Sequence, residues 1–124
     1  IKHGPALQQA EQIQKNAERI GFDVPDVAGA YAKLEEELAE LKHAVQQQNS
    51  DEIADEFGDC LFSMINVGRK LGVSSEMSLL STIHKFRTRF AFIEDQVLQQ
   101  QKKIEQMSLE EMDQLWEQAK LQLK

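Results

Sequence analysis

Helix-breaking residues are rare in this chain, and their placement constrains the fold more than any other feature. Among 124 residues the only prolines are Pro5 and Pro25, and no glycine follows Gly72. Between these breaks, apolar residues recur at intervals of three and four, which is the period of an amphipathic helix. No stretch of the sequence shows the strict alternation typical of a β-strand. The pattern predicts an all-α fold.

Five helices follow from this periodicity. The second spans about residues 26–47, and residues 99–106 form a loop or a frayed helix end. The residues expected to begin or end the helices are Pro5, Gly21, Ser50, Gly72, Ser74 or Ser75, and Ser108 with Glu111 as a capping box. We expect a bundle of four to five helices around an antiparallel helix hairpin, completed by dimerisation.

Composition and charge exclude several classes of protein. The chain carries 14 Lys and Arg against 21 Asp and Glu, a net charge of −7, which argues against general binding to nucleic acid. No run approaches the roughly 18 apolar residues of a membrane helix. Cys60 is the only cysteine, so no disulfide can form within the chain and a reducing, cytoplasmic location is expected. We expect a single domain over residues 1–124.

Acidic residues repeat with the same spacing on the second and third helices. A shift of 19 residues moves Glu37 and Glu40 onto Glu56 and Asp59, together with the apolar stripe that they border. In an antiparallel pair with its turn near residue 48, both acid pairs lie on one side and at one height. Four carboxylates should therefore converge on one groove beside an apolar seam.

Such a groove favours a metal ion. Clustered carboxylates raise each other's pKa unless a cation neutralises them. Oxygen ligands without Cys or His suit Mg²⁺, with Mn²⁺ as a substitute, better than zinc. The Glu-x-x-His pairs of di-iron bundles are missing from these helices. The alternative is that the acids are ordinary solvated surface charges.

Basic and aromatic residues on later helices suggest a phosphorylated ligand. Lys85 and Arg89 lie one turn apart on the fourth helix and suit phosphate, unless they simply pair with neighbouring acids. Trp116 on the fifth helix suits either stacking on a nucleobase or packing in a core. Lys33 is spaced to pair with Glu37 across one helical turn.

Several segments together resemble a known family. Glu36-Glu37-Leu-Ala-Glu40, followed by Glu56-Phe-Gly-Asp59, resembles the EExxE…ExxD signature of the all-α nucleoside triphosphate pyrophosphohydrolases. Nearly the whole chain is similar, in order, to the MazG family. The segments that carry this similarity are 6–15, 21–23, 85–90 and 112–116.

The resemblance implies a function and a site. It implies a homodimer or higher homo-oligomer that uses Mg²⁺ to hydrolyse NTPs or dNTPs between the α and β phosphates, giving the monophosphate and pyrophosphate. The implied metal ligands are Glu37, Glu40, Glu56 and Asp59. The implied nucleotide contacts are Lys33, Glu36, Lys85, Arg89, Trp116 and Lys120. Val24 stands where the family commonly has an aromatic residue, which leaves the preferred base open.

The expected mechanism is attack by a metal-activated water on the phosphate chain. Glu36, or a ligand carboxylate such as Glu37, takes the proton, while Lys85 and Arg89 neutralise phosphate charge. One alternative is a non-catalytic helical dimer that binds a nucleotide or a protein partner. Another is a relative restricted to dCTP, dUTP or phosphoribosyl-ATP.

Overall fold

The structure, a computed structural model, describes residues 4–123 and is helical over most of them. The helices are α1 (Ala6–Arg19), α2 (Val27–Gln46), α3 (Ser50–Lys70), α4 (Ser75–Gln99) and α5 (Leu109–Gln122), with a short 3₁₀ helix at Ile104–Gln106. No β-strand occurs within the described residues, so the all-α prediction is confirmed. Nor does any helix in that range have the length and apolar character needed to cross a membrane.

Local signals place most helix ends where the sequence predicts them. Gly21 follows α1 with φ of 88°, a left-handed conformation that glycine adopts without steric cost. The Ser74 hydroxyl accepts a hydrogen bond from the Met77 N–H at 3.2 Å at the start of α4. The predicted capping box of α5 is present, with Ser108 and Glu111 bonded reciprocally.

The start of α3 differs from the prediction by one residue. Asn49, not Ser50, is the N-cap, and its side chain accepts a hydrogen bond from the Glu52 N–H at 3.1 Å. The chain turns back at Gln48, whose φ is 55°, and this leaves Asn49 in the extended conformation that an N-cap needs. Ser50 is therefore already the first helical residue.

The chain comprises two compact units, Ile1–Ser78 and Leu79–Lys124. In the first, α2 packs along α3, and α1 packs against α3. Glu40 lies next to Glu56, and Glu37 next to Asp59, so residue numbers rise along one helix as they fall along the other. The α2–α3 hairpin is therefore antiparallel and centred on residue 48, as predicted. The single domain over residues 1–124 stays a prediction.

Small side chains, rather than the large apolar stripes, are buried in the α2–α3 hairpin. The buried small residues are Ala30, Ala44, Cys60 and Ser63. Large residues of the two stripes are exposed instead: Tyr31, Leu38, Val45, Phe57, Leu61 and Met64. The apolar seam expected from the stripes is therefore wrong in detail. Small residues let the two helices approach closely, and little room remains between them for large side chains.

The second unit has a core of its own. Its buried residues come from the end of α4, the segment that follows and α5, and they are Ile93, Val97, Met107 and Leu115. Partly buried residues that pack against this core are Phe90, Ile104, Met112 and Trp116. Trp116 thus lies at the edge of a core.

Candidate metal and nucleotide site

Carboxylates of α2 and α3 meet within one small volume in the first unit. Oxygen atoms of Glu37, Glu56 and Asp59 all lie within 4.8 Å of one another, the distance range of ligands that share a metal ion. Glu37 is buried, while the other two are partly exposed. Glu40 contacts both Glu37 and Glu56 at the edge of this group. We call these four residues the acid cluster.

Crowding changes how the acid cluster binds protons. Loss of hydration, with Glu40 and Asp59 close by, raises the pKa of Glu56 to about 7. A hydrogen bond with Glu40, and burial, raise the pKa of Glu37. The pKa of Glu40 is lowered because it accepts hydrogen bonds from Glu37 and Glu56. The cluster therefore retains protons toward neutral pH, and a cation bound there would replace them.

The donor chemistry of the acid cluster fits a hard divalent cation. Its ligand atoms are carboxylate oxygens, the donors that such ions prefer. Cys60 lies next to Asp59 in sequence, but burial, and then the nearby carboxylates, raise the pKa of its thiol. A neutral thiol is a poor metal ligand, so the residue serves as a small buried side chain, as predicted.

Lys33 and Glu36 flank the acid cluster on α2. The Lys33 ammonium lies 3.2 Å from a carboxylate oxygen of Glu36 and 3.9 Å from one of Glu37, so the predicted Lys33–Glu37 pair is present. The hydrogen bond to Glu36 raises the pKa of Lys33, which keeps the ammonium charged. The Glu36 side chain is 60% exposed and lies outside the group of converging oxygens.

Two cavities border the acid cluster, and their linings differ. The first, of about 550 Å³, we call the acidic cavity; its charged lining residues are Glu36, Glu40, Glu52, Asp55 and Glu56. The second, of about 360 Å³, reaches Glu37 and Asp59, and we call it the apolar cavity. Its apolar lining residues are Ile13, Ala17, Phe22, Val24 and Phe62. Its other lining residues are Gln14, Asp23, Lys33, Ser63, Asn66 and Arg69.

Arg69 holds the far end of the apolar cavity together. Its side chain is only 7% exposed, and its guanidinium donates hydrogen bonds to four side chains. These acceptors are Asp23 at 2.5 Å, Asn66 at 2.5 Å, Glu18 at 2.9 Å and Gln14 at 3.4 Å. The contacts join α1 and the α1–α2 loop to α3, and so fix the shape of the cavity.

Asp23 is the main acidic partner in this network. Besides Arg69, it accepts a hydrogen bond from the Lys70 ammonium at 2.6 Å. The hydrogen bond from Arg69 is the chief reason that the pKa of Asp23 falls to about 2. Residue-by-residue reasoning missed Arg69 and Asn66, because the partners of Arg69 lie in three separate elements and no short motif joins them. The only signal was that Gln14 and Asp23 fall within segments of the family resemblance.

The remaining predicted nucleotide contacts belong to the second unit. The Arg89 guanidinium lies over the Trp116 ring, 5.4 Å from its centre, and Phe86 packs on the same ring at 5.4 Å. Within residues 4–123, the buried Nε of Arg89 has no hydrogen-bond partner. Lys85 is exposed, and Lys120 pairs with Glu117 at 3.4 Å. The structure thus brings Arg89 and Trp116 together.

Comparisons with known proteins agree with this geometry. The chain is 42% identical over 116 residues to the nucleoside triphosphate pyrophosphohydrolase/pyrophosphatase MazG of Thermotoga maritima, covering 94% of this chain and 44% of that protein. It is 33% identical over 120 residues to the nucleoside triphosphate pyrophosphohydrolase of Escherichia coli K12, covering 95% and 46%. The chain therefore spans less than half the length of these curated relatives.

A family model gives the same assignment. The MazG nucleotide pyrophosphohydrolase domain matches residues 28–91, slightly more than half of the chain. The match begins within α2 and extends into α4, and it includes every residue of the acid cluster together with Lys85 and Arg89. On this match, and on the family signature that the cluster residues carry, the chain belongs to the MazG nucleotide pyrophosphohydrolase family.

Proposed function

We propose that the chain is a Mg²⁺-dependent nucleoside triphosphate pyrophosphohydrolase. It would hydrolyse NTPs or dNTPs between the α and β phosphates, releasing the nucleoside monophosphate and pyrophosphate. The observation that carries the proposal is the convergence of Glu37, Glu56 and Asp59 within 4.8 Å in a member of the MazG family. The names of the relatives from Thermotoga and Escherichia support the reaction type.

Metal binding falls to the acid cluster. Glu37, Glu40, Glu56 and Asp59 would hold Mg²⁺, or Mn²⁺ as a substitute, through carboxylate oxygens. A bound divalent ion neutralises phosphate charge and lowers the pKa of a coordinated water. The raised pKa values of Glu37 and Glu56 support the assignment, because they reflect negative charge that the protein alone leaves uncompensated.

Proton removal from the attacking water falls to a carboxylate of α2. Glu36 is exposed and lies outside the converging oxygens, so it can accept a proton while the acid cluster keeps its ligands. Glu37 is the other candidate, since its raised pKa favours protonation. Lys33, which pairs with both, would hold them in place.

Phosphate and base contacts are assigned to the second unit. The Nε of Arg89 is buried without a partner among residues 4–123, and a phosphate oxygen would satisfy it. Stacking on Trp116 already fixes the guanidinium, so little conformational freedom is lost on binding. Lys85 and Lys120 would add positive charge, and the Trp116 ring offers a face for the base.

A panel of NTPs and dNTPs, incubated with the protein and Mg²⁺, tests the proposal. The products are separated so that pyrophosphate is distinguished from orthophosphate. We expect pyrophosphate and the nucleoside monophosphate in equal amounts. Orthophosphate with the nucleoside diphosphate would contradict cleavage between the α and β phosphates. Binding without turnover would support the non-catalytic alternative instead.

A further inference from the structure

We propose that the apolar cavity receives the nucleoside part of the substrate and that Asn66 donates a hydrogen bond to it. The inference rests on the proposed function, because it assigns a place to one half of the same substrate. It concerns only the first unit, where the cavity and the acid cluster adjoin.

The linings of the two cavities divide the substrate between them. Five carboxylates line the acidic cavity, which suits metal ions and the phosphates that they bind. Five apolar side chains line the apolar cavity, which suits the faces of a flat heteroaromatic ring. Glu37 and Asp59 line the apolar cavity, while their partner Glu56 lines the acidic one. A ligand with a charged chain and an apolar head therefore matches the arrangement.

The volume of the apolar cavity agrees with this assignment. Sites for small molecules generally measure roughly 300–1,000 Å³ and combine apolar walls with a few placed polar groups. At about 360 Å³, the apolar cavity lies at the small end of that range. It has the size for one compact group rather than for a nucleotide with its whole phosphate chain.

Asn66 is the polar group best placed to orient that ligand. The Arg69 guanidinium donates to its side-chain oxygen at 2.5 Å, so the orientation of the amide is fixed. Its NH₂ group has no partner among residues 4–123, and the residue lines the cavity. Nearby, Ser63 is 93% buried, and its hydroxyl also has no hydrogen-bond partner within that range.

Arg69 and Asp23 line the same cavity, but their polar atoms are already engaged. Arg69 donates to four acceptors, and the Asp23 carboxylate accepts from Arg69 and Lys70. Arg69 is therefore a positioning residue, which holds Asn66, while Asn66 makes the contact. A donor fixed in this way selects ligands that carry a hydrogen-bond acceptor at that point.

Equilibrium binding separates this inference from the proposed function. Calorimetry with Mg²⁺ compares α,β-methylene nucleoside triphosphates with inorganic tripolyphosphate, which lacks the nucleoside. The pocket variants are Asn66→Ala, which removes the donor, and Ala17→Leu, which fills the cavity. The matched controls are Asn16→Ala and Ala6→Leu, at exposed positions on α1 outside the cavity lining.

We expect both pocket variants to weaken binding of the methylene analogues about ten-fold, the usual size for one lost hydrogen bond or a partly blocked pocket. Tripolyphosphate binding should stay the same, and the controls should bind both ligands like the wild type. Unchanged analogue binding in both pocket variants would overturn the inference, even if wild-type hydrolysis proceeds. Equal weakening of both ligands would also overturn it. Selective loss of analogue binding in a protein that releases no pyrophosphate would leave the inference standing and the proposed function wrong.

Discussion

Glu56 shows most clearly what crowding does to single residues of this site. Loss of hydration raises its pKa to about 7 from an ordinary value of 4.5. A group with a raised folded-state pKa stabilises the fold fully below its unfolded pKa, and that contribution is lost as the pH rises through its folded pKa. In the metal-free protein, the contribution of Glu56 should therefore disappear between about pH 4.5 and pH 7.

Thermal unfolding without metal, measured from pH 5 to pH 8, tests this expectation. Relative to Glu56→Gln, the melting temperature of the wild type should fall as the pH rises. Added Mg²⁺ should stabilise the wild type more at pH 8 than at pH 6, because protons compete with the ion at lower pH. Glu35→Gln, at an exposed site on α2, serves as the control. Parallel pH profiles for wild type and Glu56→Gln would contradict the raised pKa.

Asp23 has the opposite behaviour. Its pKa is lowered from 3.8 to about 2, chiefly by the hydrogen bond from Arg69. Its contribution to stability is therefore present above about pH 3.8 and is lost as the pH falls through 2. By linkage the contribution is about 2 kcal/mol.

We expect Asp23→Asn to lower the free energy of unfolding by about that amount at pH 7, because Arg69 and Lys70 lose their shared partner. Urea unfolding should show the difference shrinking between pH 4 and pH 2. Asp113→Asn, on the exposed side of α5, should change little. A difference that persists undiminished at pH 2 would show that the ion pairs are not its source.

At the scale of elements, the first turn of α3 distinguishes two neighbouring polar residues. Asn49 bonds the Glu52 N–H, whereas Ser50 lies inside the helix. Asn49→Ala should therefore cost about 1 kcal/mol of stability, and Ser50→Ala only a few tenths. Chemical denaturation of the two variants measures this directly. A larger loss in Ser50→Ala would restore Ser50 as the cap.

The elements that could be predicted are those with local causes. Gly21 and the Ser108–Glu111 box mark helix ends by their own chemistry, so these ends are confirmed. The meeting of Glu37 with Asp59 was also predictable, because a short turn fixes the height of both helices. The α3 cap was not, since the left-handed conformation of Gln48 decides which residue becomes extended.

Long-range packing lies beyond such reasoning. The Arg69 network joins residues up to 55 positions apart, and nothing in its local sequence specifies those partners. The stripes on α2 and α3 have helical periodicity, but the periodicity does not say what covers them. Small residues such as Ala30 and Ala44 occupy the buried positions of α2, and Phe57 and Leu61 remain exposed.

At the scale of the whole molecule, these exposed stripes favour the proposed self-association. Large contiguous apolar surface on a helix pair is typical of an interface, and a second copy of the chain would bury it. Leu61→Glu places a charge in the stripe and should convert the dimer to a monomer. Sedimentation equilibrium should give twice the 14.2 kDa of one chain for the wild type and a single chain for the variant.

Ile20→Glu is the matched control, at an exposed apolar position just after α1 and outside the stripes. It should leave the mass unchanged. A monomeric wild type would contradict the proposed homodimer, and an unaltered mass in Leu61→Glu would exclude this face as the interface.

The central claim is that the acid cluster supports hydrolysis of a nucleoside triphosphate. Mg²⁺-dependent pyrophosphate release, compared between wild type, Glu37→Gln and Asp59→Asn, tests it most directly. Each amide keeps the size of the side chain but removes the charge, so helicity by circular dichroism should not change. We expect pyrophosphate release to fall by at least about 100-fold in both variants, as for loss of a metal ligand, and to be unaffected in the exposed Glu35→Gln control. Wild-type rates in Glu37→Gln or Asp59→Asn would contradict the claim.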